Sequence, residues 1–300
     1  MRFFLEDGPQ SEEYCWVREG RNDWCRDARD FIESIWPSCV EFVDSDLQKD
    51  ARNNFHQRWW ELYLSHVLLA NGVALVSRKH RHPAKKGPDL LAIVGESRFW
   101  IEAVTVFSGT GPDAVPEGEE GVAHDVPDDP IKLRLQSALS SKLKKYHRYR
   151  SRGWIKEEEG YIVALNAARV PCAMLERTVP RIVASVFPVG CEVVHLDRET
   201  LQAVDLTYQY QDCVPKKAGQ SVPATSFLNE AYKGLSGVLY SYADAYNRPT
   251  NAGGDFVLVH NPLADVPLSL GLLKRGREFQ AELSDPRVLK IHPTVWGSAS

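Results

Sequence analysis

Apolar positions recur at three- and four-residue spacing in "DWCRDARDFIESIW", Asp23 to Trp36, through Ala28, Phe31, Ile32 and Ile35. That spacing predicts a helix, with Asp23 placed to cap it and Pro37 to stop it. A second helix is predicted in "NNFHQRWWELYLSHVLLANG", capped at Asn54 and ended by Asn71-Gly72. It is apolar almost all round from Phe55 to Ala70, and its polar stripe consists of Gln57, Arg58, Glu61 and Ser65. Three short runs rich in β-branched residues follow: "VALVS", "DLLAIV" and "RFWIEAVTV", the last two separated by Gly95-Glu96-Ser97. They predict a three-strand meander.

A long Gly/Pro/acid segment, Ser108 to Pro130, interrupts the pattern, and its length suggests a lid or functional insertion. "IKLRLQSALSSKLKKYHRY" then predicts a helix with Leu135, Ala138, Leu139, Leu143 and Tyr146 on its core face. "GYIVALN" has the continuous apolar character of a strand buried on both faces. Beyond it the chain predicts a helix within "AMLERTVPRIVASVF", started or broken at Pro180, and a strand in "CEVVHL". Two further strands are predicted in "SGVLYSYADAY" and "DFVLVHNPLADVPL", while the span from Gln202 to Ser226 is polar and poorly patterned. With no repeat and no clear linker, the expectation is one α/β domain over residues 1–300 with a central mixed β-sheet flanked by helices.

Composition changes this picture little. With 43% hydrophobic residues, 25% charged residues and eight Trp, the 300-residue chain has the makings of an ordinary folded core. No apolar run is long enough to cross a bilayer, and the acidic start does not resemble a secretion signal, so the expected location is cytoplasmic with no membrane partner. Six scattered cysteines without a C-x-x-C pair argue for reduced thiols and against zinc.

Charge distribution is more informative than the net value of −4. Arg78 to Lys86 holds five Lys or Arg, and Lys142 to Lys156 holds seven, whereas Asp113 to Asp129 between them has seven acids and neither Lys nor Arg. Two basic runs flanking one segment suit a phosphate backbone, with Arg78, Lys79, Arg81, Lys85, Lys86, Lys145 and Arg148 as the candidate contacts. The acidic loop is expected to cover the same cleft as a mimic of phosphate.

Between the basic runs lie two acids on consecutive predicted strands. Asp89 opens the second strand. Glu102 sits inside the third, where alternation turns it the same way as Trp100 and Val104. Neighbouring antiparallel strands bring such carboxylates within reach of one hard divalent cation. A buried carboxylate also needs a partner, and helical phase supplies one: Lys142 falls on the core-facing stripe of the following helix, while Lys144 and Lys145 point away. His260, which ends a strand, has no triad partners nearby and is expected to be structural; there is no Gly-rich cofactor loop.

The order helix, strand, strand with Pro88-Asp89, strand with Glu102, helix, strand resembles the PD-(D/E)xK nuclease superfamily, over about residues 54–166. The resemblance implies a restriction-endonuclease-like αβα core, with residues 167–300 as an extension of the sheet. It further implies metal-dependent hydrolysis of DNA, with Mg²⁺ or Mn²⁺ on Asp89 and Glu102. A helical glutamate, here Glu61, often completes the acidic cluster in that superfamily; otherwise Gln57, Arg58, Glu61 and Ser65 would be the wet side of their helix. The sequence departs from the family at Val104, where a lysine is usual. Some members supply that lysine from the following helix, which makes Lys142 the expected replacement. A homodimer is compatible with this reading, and so is a catalytically inactive fold that binds nucleic acid or a protein partner.

Overall fold

The structure is a computed structural model and describes residues 2–81, 87–119, 121–285 and 288–296. Four helices come first: α1 (Glu12–Glu19), α2 (Asp23–Cys39), the single turn α3 (Leu47–Asp50) and α4 (Phe55–Ala70). Strands β1 (Ala74–Leu75), β2 (Leu90–Val94) and β3 (Ser97–Phe107) follow, then the long helix α5 (Asp128–Ser151) and β4 (Gly160–Arg169). After a short α6 (Arg181–Val186) come β5 (Val189–Leu196), β6 (Ala203–Tyr210), β7 (Cys213–Pro215) and β8 (Ser221–Pro223). The chain closes with β9 (Gly237–Ser241), β10 (Val257–His260), β11 (Gly276–Asp285) and β12 (Val288–Trp296).

The fold is α/β, and its centre is a mixed sheet of eight strands in the order β1-β2-β3-β4-β9-β10-β11-β12. β1, β2 and β3 form the antiparallel meander, and β4 returns parallel to β3 after the α5 crossover. β9 lies parallel to β4, so the C-terminal strands continue the same sheet.

Strand alternation divides the core in two. Leu90, Ala92, Phe99, Ile101, Ala103, Ile162 and Ala164 pack on one face against α4 and, beyond it, α2. Leu91, Trp100, Tyr161, Val163 and Leu165 pack on the other against α5 and α6. The position of α4 between the sheet and α2 explains its apolar circumference: a helix covered on both sides has no wet face. Glu61 and Ser65 are buried with it, so the stripe of four polar residues is not a solvated side.

Several elements differ from the sequence reading. α2 is capped by Asn22, whose side chain accepts from Cys25 N, and it continues through Pro37 to Cys39. Pro37 forgoes only the bond to the Glu33 carbonyl, and burial of Trp36 and Cys39 holds the last turn. Asn54 stands at the α4 N-cap, but its side chain makes no capping bond. The helix expected over 173–187 is only six residues long. "CEVVHL" is a strand that leaves the main sheet and pairs with β6 in a two-stranded ribbon. α1, the β7–β8 hairpin and the β11–β12 pair were not anticipated. Among the described residues, no helix is long and apolar enough to cross a membrane.

Candidate active site

The β2–β3 ladder runs from Val94↔Ser97 to Leu90↔Ile101 and stops there. Asp89, one residue before the ladder, therefore comes beside Glu102, one residue past it. The free edge of β3 is finished by side chains: Ala103 N–H donates to Asp89 Oδ2 at 2.7 Å and Thr105 N–H to Gln57 Oε1 at 3.0 Å. Asp89 is in phase with Leu91 and Glu102 with Trp100, both of which face α5. The two acids thus occupy the α5 side of adjacent strands. Burial pushes the Asp89 carboxyl well above the ordinary carboxylate range, and the charges of Glu102 and then Glu61 push it further.

Glu102 is 1% exposed. A lone carboxylate there would be prohibitively costly, and α5 supplies what it needs. Lys142 Nζ donates to Glu102 Oε1 at 2.9 Å, Lys145 Nζ donates to the same oxygen at 2.5 Å, and Tyr149 OH donates to Oε2 at 3.2 Å. Positions 142, 145 and 149 form one stripe along the helix, at successive spacings of three and four. Burial works against the Lys145 charge, but the Glu102 carboxylate outweighs it and holds the ammonium above its ordinary range. Burial and then Glu102 push the Tyr149 phenol up to about 12, so it is a donor at neutral pH. Tyr161 also lies beside Glu102, and burial with the Glu102 charge raises its hydroxyl well above the usual phenol range.

The helical phase of Lys142 thus places it where the sequence expected, whereas Lys145 is a correction. Its Cα points toward the edge of the stripe, but four methylenes let the ammonium bend back to the acid. Tyr149 was missed because a tyrosine at core spacing looks like packing; the signal available was its place one turn beyond Lys145.

Glu61 sits on α4 and is buried. Its Oε1 accepts from Arg58 NH1 at 2.6 Å and from Gln57 Nε2 at 3.0 Å, and Arg58 continues to Asp50 at 2.9 Å. Burial raises the Glu61 carboxyl despite Arg58. Its charge reaches Asp89 electrostatically from α4, on the opposite side of the sheet from α5. Among the described residues, no group of three His, Cys, Asp or Glu is placed to hold a metal ion.

The basic residues divide. Arg78 donates to Val43 O at 2.7 Å, and Arg81 donates to the carbonyls of Phe42 and Asp89, so Arg81 is spent on fixing the approach to β2. Lys79 and Arg148 are exposed. Lys85 and Lys86 lie outside the described residues. A cleft of about 530 Å³ beside Pro88 is lined by Arg58, Arg78, Lys79 and Arg81, by the indoles of Trp100 and Trp154, and by Asp44, Asp46 and Asp50. A larger cavity of about 800 Å³, between the start of α5 and the β5–β6 ribbon, is lined by none of the acids or lysines around Glu102.

Three of the seven acids between Asp113 and Asp129 have partners outside the two basic runs, and two of the three stand in the first turn of α5. Asp113 accepts from Lys217 N–H at 2.8 Å, Asp128 holds Arg177 and Arg181, and Asp129 pairs with Lys132 at 2.7 Å. His260 contacts Leu268 O at 3.2 Å and Glu278 Oε2 at 3.0 Å in the interior. No protein-family model, curated protein or solved structure matches the chain.

Proposed function

We propose that this chain is a Mg²⁺- or Mn²⁺-dependent nuclease that hydrolyses phosphodiester bonds in DNA, on a PD-(D/E)xK-type core whose lysine comes from α5. One observation carries the reading: Glu102 on β3 stands beside Asp89, the residue before β2, and receives Lys142 and Lys145 from the helix that follows. This is the constellation expected when the strand position, Val104, has lost its lysine.

The donor set fits the ion. Asp89 and Glu102 offer hard oxygen donors on one face, and a Mg²⁺ site needs only one or two protein carboxylates because the ion keeps several waters. Asp89 and Glu102 would hold the metal, and Glu61, paired with Arg58 on α4, would act on Asp89 through its charge. Bound there, it would activate a water and offset charge on the phosphate being cut. The chain's own groups supply the rest. Lys142 and Lys145 present two ammonium groups to the charge that develops on a phosphodiester. Tyr149 fixes the second oxygen of Glu102, and Arg58 orients Glu61. Lys79 and Arg148 are the exposed cations available to a DNA backbone.

A second reading is favoured by the same ion pairs: with both ammonium groups committed to one Glu102 oxygen, the fold could bind nucleic acid or a protein partner without cutting. Plasmid nicking separates them. Wild-type protein with Mg²⁺ or Mn²⁺ should nick supercoiled DNA, Asp89→Asn and Glu102→Gln should each abolish it, and Lys142→Met should slow it by about 10²–10³. Nicking that survives all three changes would sink the assignment, and DNA binding without nicking by the wild type would establish the second reading.

A further inference from the structure

The β5–β6 ribbon stands apart from the main sheet. Its base is anchored, since Val189 is buried and Tyr208 packs against the α5-side core. Farther out, Val194 lies opposite Leu206, Val204 is in step with Leu206 along β6, and Leu196 follows Val194 along β5 across a register shift. The opposite face is polar: His195 faces Asp205 and contacts Thr207 Oγ1 at 2.7 Å. Val194, Leu196, Val204 and Leu206, with Leu201 in the turn and Tyr210 at the base, are each between 46% and 74% exposed. A two-stranded ribbon is marginal by itself, and apolar exposure on one side adds a further cost that burial would relieve.

We propose that this apolar side is the surface through which two copies of the chain pair. Charge argues against a phosphate backbone or an anionic membrane as the occupant, because Glu192, Asp197, Glu199 and Asp205 outnumber Arg198 along the ribbon. A protein surface is left, and the ribbon complements itself. A two-fold axis lying in the interface over the Val194–Leu206 pair sets the stripe of one copy against the same stripe of a second. At these exposures the patch is on the order of 600 Å² per copy, at the upper limit for a monomer and near the ~800 Å² per partner of a stable interface. The inference does not rest on nuclease activity.

Sedimentation velocity on the full chain, from about 1 to 50 μM, tests it. The wild type should show a concentration-dependent dimer. Val194→Glu combined with Leu206→Glu should run as a monomer throughout. The milder pair Val194→Thr and Leu206→Thr should weaken the dimer at least about tenfold, which guards against misfolding of the charged variant. Asp205→Lys, on the polar face, should leave the dimer intact. A wild type that stays monomeric over the whole range, or a dimer that survives the two glutamates, would overturn the proposal.

Discussion

Lys142 and Glu102, 40 positions apart in the chain, meet at 2.9 Å between Nζ and Oε1. Lys145 shares the same oxygen, and that sharing makes the response to mutation non-additive. Either Lys→Met change leaves Glu102 one cation and should cost about 1 kcal/mol. The double variant leaves a carboxylate buried and uncompensated, and should lose about 3–5 kcal/mol. Urea unfolding of the four proteins measures the coupling. If the nuclease reading holds, Lys142→Met alone lowers the nicking rate by about 10²–10³.

Asp89 gives the opposite trade. Its carboxyl titrates above the ordinary value of 3.8, so the folded form binds its proton more tightly than the unfolded chain does, and stability falls as pH rises from that value toward the folded one. Asp89→Asn keeps an acceptor for Ala103 N–H and removes the repulsion. In metal-free buffer at neutral pH its Tm should rise by about 2 °C. Metal-dependent nicking should disappear in the same protein.

A second pH signature belongs to His56, which is buried on α4 with Nε2 2.9 Å from Asn166 Oδ1. Burial, then the charge of Arg169, lower it from 6.5 to about 4. A depressed imidazole stabilises the fold above the unfolded value, and that stability is lost as pH falls from 6.5 toward 4. Between pH 7 and 4 the wild type should lose roughly 3 kcal/mol more than His56→Gln, as measured by denaturant unfolding at each pH.

Glu278 is fully buried and accepts from Gly271 N–H at 3.0 Å and Leu273 N–H at 2.7 Å, besides its contact with His260. Glu278→Ala should destabilise by at least about 3 kcal/mol. Nicking per folded molecule at low temperature should not change; a specific loss of activity at unchanged stability would place the His260 cluster in the chemistry.

What could be seen in advance follows from which periodicities are backed by burial on a fixed face. α4, β2, β3, α5 and β4 each bury a defined side, so their spacing is written in the apolar residues. Lys142 was visible for the same reason, because helix phase sets where its Cα points. Lys145 was not, since the direction of a Cα does not bind the end of a lysine. The β6 segment "AVDLTYQY" has no fully buried face, so no burial pattern marked it as a strand. The link from Asp89 to the Ala103 amide was equally invisible, because it depends on where a ladder stops.

That stopping point has a consequence for assembly. Past Ile101, β3 presents an outer edge on which another strand would fit, and at positions 103 and 105 the guests are side chains, Asp89 and Gln57. An open edge of this kind invites strand addition from neighbouring molecules, and a charged side chain lying across it is a recognised deterrent. The acid just before β2 therefore covers an open strand edge as well as standing in the candidate site. Truncating it to alanine would empty the site and expose the edge in one step, whereas asparagine vacates only the charge.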